Sequence, residues 1–100
     1  MCALAMLWAG NAAADPKTEA AALSHVAHGK ATTGDWAAAA ELYAQAYRTD
    51  SAVLGYLASA ATSWFKAGNW AKAATSYEQL LQKLPDTDQR RVKASERLAT

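Results

Sequence analysis

Cysteine is nearly missing from this chain of 100 residues; Cys2 is the one example. Everything after residue 14 is free of thiols, which excludes a disulfide or a cysteine-based metal site there. An excess of either charge is missing too. Lys and Arg number 10 against 9 for Asp and Glu, a formal net charge of +1. Phosphate backbones call for a basic surface, so nucleic acid is not an expected partner. The apolar stretch Cys2 to Ala9 falls far short of the roughly 20 residues that cross a bilayer, and no membrane span is expected in the mature chain. Chemical motifs are equally scarce. His25 and His28 are the only histidines, whereas a zinc site takes three or four ligands at fixed spacing. Glu19 and Asp35 are poor companions for them, so solvated or groove-lining histidines are expected. Ser24, Ser59 and Ser63 have no GxSxG setting, and no GxxxxGK phosphate loop occurs. No catalytic residue, no metal site and no cofactor is expected, and the chain reads as non-enzymatic.

What is present at the N-terminus is a short apolar core followed by Asn11-Ala12-Ala13-Ala14 and then Asp15-Pro16-Lys17. Small residues of the A-x-A kind after such a core predict a secretory signal peptide over residues 1–14, cut after Ala14. No Lys or Arg precedes the core, so the natural start is expected upstream of Met1. The mature domain, 15–100, is then periplasmic or secreted.

Within that domain a spacing of 34 residues dominates. Gly34, Asp35, Trp36, Ala39 and Tyr43 recur as Gly68, Asn69, Trp70, Ala73 and Tyr77. Leu23 and Leu57, Ala37 and Ala71, Ala40 and Ala74, and Gln45 and Gln79 keep the same offset. Glycine accepts the left-handed conformation that closes a helix, and the Asp or Asn after it caps the next one. Two antiparallel helices joined by a very short turn follow. The small alanine and the tyrosine one turn later share the inward face. Caps and periodicity predict helices at about 16–33, 36–48, 52–67, 70–83 and 87–99. Asp15, Ser51 and an Asp86–Gln89 capping box start the first, third and fifth, and Pro85 stops the fourth. The fifth is expected to turn Val92, Ser95, Leu98 and Ala99 inward and Arg90, Arg91, Lys93, Glu96 and Arg97 to water. Alanine inflates the 52% hydrophobic content, so the core is expected to be thin and to rely on aromatics.

These residues resemble the tetratricopeptide repeat, a 34-residue helical hairpin with small and aromatic residues at set positions. Leu57, Ala60, Ala61, Trp64, Gly68, Ala73, Tyr77, Leu80 and Pro85 carry the likeness in one copy. Leu23, Val26, Ala27, Gly34, Ala39, Tyr43 and Ala46 carry it in the other, which departs at Lys30 and Ser51. The resemblance implies an all-α solenoid of two tandem hairpins, 20–51 and 54–85, with a C-terminal capping helix. It also implies that the first helix of each hairpin lines a concave groove. The groove positions would be Ser24, His28, Ala31 and Thr32, then Ala58, Thr62, Phe65 and Lys66, with Tyr56 as a further aromatic. Relatives that grip C-terminal carboxylates use Lys and Asn at several such positions; here only Lys66 is basic, so that partner class is not expected. The implied function is a protein–protein interaction module of the bacterial cell envelope that binds a peptide or partner protein, with a homo-oligomeric scaffold as a variant. The alternative is an accessory or regulatory part of a larger envelope enzyme or secretion complex.

Overall fold

The computed structural model describes residues 15–99; the expected signal segment and its cleavage point lie outside them. The described residues form an all-α, helical repeat-like fold of five helices packed each on the next: α1 Pro16–Thr32, α2 Trp36–Thr49, α3 Leu54–Lys66, α4 Trp70–Lys83 and α5 Arg90–Ala99. Among the described residues there is no strand, and no helix is long and apolar enough to cross a membrane.

The two tight turns are near copies. Gly34 and Gly68 take positive φ of 85° and 83°. The Asp35 N–H donates to the Lys30 carbonyl at 2.9 Å and that of Gly34 to Ala31 at 3.0 Å; Asn69 and Gly68 do the same to Trp64 and Phe65 at 3.0 and 3.1 Å. This paired closure satisfies carbonyls that a helix end leaves without partners. The next helix then starts on the same residue: Asp35 Oδ1 accepts from Ala38 at 3.3 Å and Asn69 Oδ1 from Lys72 at 3.2 Å. At the domain's start Asp15 Oδ1 accepts from Thr18 at 2.7 Å, with Pro16 in the first helical position.

The core is uneven along the stack. Leu57, Ala61, Trp64, Ala73, Tyr77, Leu80 and Leu84 form its centre around α3 and α4, together with Ala40 and Ala94. The α1–α2 hairpin buries alanines instead: Ala20, Ala27, Ala39 and Ala46. Ala39 and Ala73, at matching positions of α2 and α4, are both buried. Trp36 is half-buried over its joint, but Trp70 is 63% exposed.

Three local expectations are corrected. Helix α3 starts at Leu54, and Ser51 does not cap it; Val53 is the cap residue, without a side-chain bond. Asp50 holds the turn instead, its Oδ1 accepting from Ala52 at 3.3 Å and its carbonyl from Val53 at 3.3 Å. Helix α5 starts at Arg90 because a turn closed by Asp88 N–H on the Pro85 carbonyl consumes residues 85–88. Asp88 Oδ1, not an Asp86–Gln89 box, accepts from the Arg90 N–H at 2.9 Å. The inward face of α5 also differs: Ala94 is buried and Leu98 packs on the core, while Val92 is 63% exposed. Arg91 and Arg97 turn toward α4 because acceptors wait there. Arg91 Nη1 donates to the carbonyls of Leu81 at 2.7 Å and Leu84 at 3.1 Å, and Arg97 Nη1 to the Tyr77 hydroxyl at 3.1 Å.

Candidate binding cleft

A cleft of about 390 Å³ opens where α1, α2 and α3 meet. The helical spacing of His28, Ala31 and Thr32 puts them on one side of α1, and Ala58, Ser59, Thr62 and Ser63 face them from α3. Trp36 and Tyr43 of α2 complete the lining. Both come from the turn-and-crossing frame that the 34-residue offset repeats. Four hydroxyl side chains and two aromatic rings therefore share one space with a histidine. No hydrogen bond joins His28 to those hydroxyls among the described residues. Partial burial pushes the Tyr43 phenol above its ordinary pKa, so it stays neutral and can donate or accept. At the edge, Lys66 Nζ lies 4.8 Å from the Trp36 ring centroid, a cation–π contact.

A second cleft occupies the equivalent place one repeat along. It measures about 280 Å³ and is lined by Phe65, Trp70, Ala73, Ala74, Tyr77, Arg97 and Leu98. Four lining positions correspond at an offset of 34: Ala31 to Phe65, Trp36 to Trp70, Tyr43 to Tyr77 and Ser63 to Arg97. The frame is the same, but the filling is not. Phe65 meets Trp70 edge to face, centroids 5.2 Å apart at 72°. The Arg97 guanidinium lies 4.2 Å from the Phe65 centroid and donates to the Tyr77 hydroxyl, which also shares a 3.3 Å hydrogen bond with Thr62.

A third cleft, about 500 Å³, lies between α2 and α4. Lys72 spans it, its Nζ 3.6 Å from Glu41 Oε1 and 4.6 Å from the Trp64 centroid. Both partners of that ion pair are more than half exposed, so the pair contributes little stability.

Of the residues expected in the groove, His28, Thr32 and Thr62 come together in the first cleft, and Lys66 sits at its edge. Phe65 lies in the second cleft against α5. Ser24 and Tyr56 line none of the three. Trp36, Tyr43, Ser59 and Ser63 are the additions. The first two were legible as repeat residues, but their role as cleft walls was not. Among the described residues, no group of three or more His, Cys, Asp or Glu could hold a metal ion. A comparison of the chain with protein-family models, with curated proteins and with solved structures gives no match.

Proposed function

We propose that this chain is a non-enzymatic interaction module of the tetratricopeptide type, exported to the bacterial envelope, which holds a peptide or partner protein in the cleft between α1 and α3. The observation that carries the reading is the cleft itself. An open space of about 390 Å³ mixes apolar and aromatic walls with hydroxyls from Thr32, Ser59 and Thr62. Sites that hold ligands combine mostly apolar walls with a few placed polar groups. The repeated Gly-Asp/Asn-Trp turn and the buried alanines at both crossings support the repeat type.

The test is retention of an envelope protein by the immobilised domain, compared with a Ser59→Arg variant that plugs the cleft. Ser59 is only partly buried, so the long side chain has a route to solvent. Retention by the native domain and its loss in the variant, at an unchanged thermal melt, is the expected result. Equal retention by both removes the cleft from recognition. Export is tested separately by the mass of the protein recovered from its native host, with Asp15 expected as its first residue.

A further inference from the structure

The two equivalent clefts differ in a way that specifies an occupant. In the second, Phe65 from the preceding helix stands against the Trp–Ala–Tyr frame, packed on Trp70 and covered by Arg97, and the space left is about 280 Å³. In the first, Trp36 and Tyr43 line the space as Trp70 and Tyr77 do, but Ala31 stands at the phenylalanine position and Ser63 at the arginine position. Both substitutions remove bulk from the same space, and the first cleft is the larger. We propose that the first cleft receives an aromatic side chain of a partner peptide, which takes the place that Phe65 occupies against Trp70 one repeat later. This rests on the reading of the chain as a peptide-binding module.

The chemistry of the lining separates an aromatic from other candidates. None of the residues lining the cleft is acidic, so a guanidinium or ammonium from a partner would lose water with no carboxylate to receive it. Lys66 already covers the face of Trp36 and repels a second cation. A neutral ring meets the rim of Trp36 edge to face, as Phe65 meets Trp70, an arrangement favoured by the ring quadrupoles. The Tyr43 phenol and the Ser59 hydroxyl face the space and can meet the peptide's backbone or a tyrosine hydroxyl.

Three acetylated, amidated nonapeptides of Gly and Ser with a central Phe, Leu or Arg are titrated into the whole domain, with the Trp36 and Trp70 indole signals followed by NMR. The Phe peptide is expected to shift Trp36 and leave Trp70 still, with at least tenfold weaker effects from Leu and Arg. In Ala31→Phe the chain supplies its own ring, and binding should fall at least tenfold while the melting temperature holds or rises. Trp36→Leu, which removes the wall without filling the space, should weaken binding similarly and guards against a folding failure in the first variant. Equal binding of the three peptides, no binding of the Phe peptide, shifts at Trp70 instead, or undiminished binding by folded Ala31→Phe overturns the proposal. Self-association that Ala31→Phe abolishes would put a second copy in the cleft and likewise overturn it. Retention of an envelope partner that Ser59→Arg destroys but Ala31→Phe spares would leave the module reading standing and remove only the aromatic. Retention unaffected by Ser59→Arg would remove the module reading, while the peptide titration still decides on the ring.

Discussion

Arg97 reaches from α5 to α4 and donates a hydrogen bond to the hydroxyl of Tyr77 at 3.1 Å, while its guanidinium lies over Phe65. Tyr77 is 3% exposed, and its hydroxyl also meets Thr62 of α3 at 3.3 Å. One phenol thus ties three helices together. Removing it takes one hydrogen bond from Thr62 and one from Arg97, and a lost hydrogen bond of this kind costs about 1 kcal/mol. Tyr77→Phe should lower the unfolding free energy by roughly that amount, measured by urea titration. An unchanged midpoint would show that solvent replaces the phenol for both partners.

Gly34 and Gly68 should each resist alanine for a conformational reason. A Cβ at either position meets nothing within 4 Å, so packing does not oppose it. The positive φ does, and the left-handed conformation costs an L-residue about 1–2 kcal/mol. Gly34→Ala and Gly68→Ala are expected to destabilise by similar amounts because the two turns share one hydrogen-bond pattern. Paired thermal melts check this, and markedly unequal losses would mean that the turns are not energetic equivalents.

Ala39 and Ala73 are 0% and 2% exposed at the helix crossings. Ala39→Leu and Ala73→Leu insert three carbons where the helices already touch, and overpacking of this kind costs about 1–3 kcal/mol. The effect at Ala39 should be the larger, because Ala73 borders the second cleft whereas Ala39 lines none of the three. Calorimetry of both variants compares them directly.

Asp88 introduces a pH dependence. Hydrogen bonds from the Arg90 side chain and then its backbone N–H pull the carboxyl from 3.8 down to about 2. Arg90 Nη2 lies 2.8 Å from Oδ2 and Nε 3.0 Å from Oδ1. A depressed folded-state pKa adds stability above the unfolded value, and that stability is lost as pH falls from 3.8 toward about 2. Helix α5 should therefore loosen slightly in acid, and Asp88→Asn should flatten that part of the profile. Added salt should shrink the difference, since the pair faces solvent. Circular dichroism melts across this range, with and without the substitution, provide the measurement.

The repeat frame was legible because its determinants are local. A glycine at positive φ, a capping Asp or Asn and a helical run of alanines act within a few residues of one another. The starts of α3 and α5 were not legible, because Asp50 and Asp88 hold their turns in place of the expected Ser51 and Asp86. Several nearby carboxyl and hydroxyl groups could have done so, and backbone geometry chose between them. Arg91 and Arg97 looked like solvent-facing charges. Nothing in their spacing indicates the carbonyls of Leu81 and Leu84 or the phenol of Tyr77, which lie 7 to 20 residues away.

The sequence by itself determined the all-α hairpin pattern, the 34-residue register and the small residues at the helix crossings, since each follows from short-range sterics and hydrogen bonding. Only the tertiary structure decided which groove positions meet. It brought His28, Thr32 and Thr62 into one cleft with Trp36 and Tyr43, and it turned Phe65 away against Arg97 of α5. The offset places Phe65 and Ala31 at equivalent positions. Whether that position is filled or open depends on side-chain volume arriving from the following helices, Arg97 on one side and Ser63 on the other. That is a packing relation between segments distant in the chain, which periodicity along one segment does not encode.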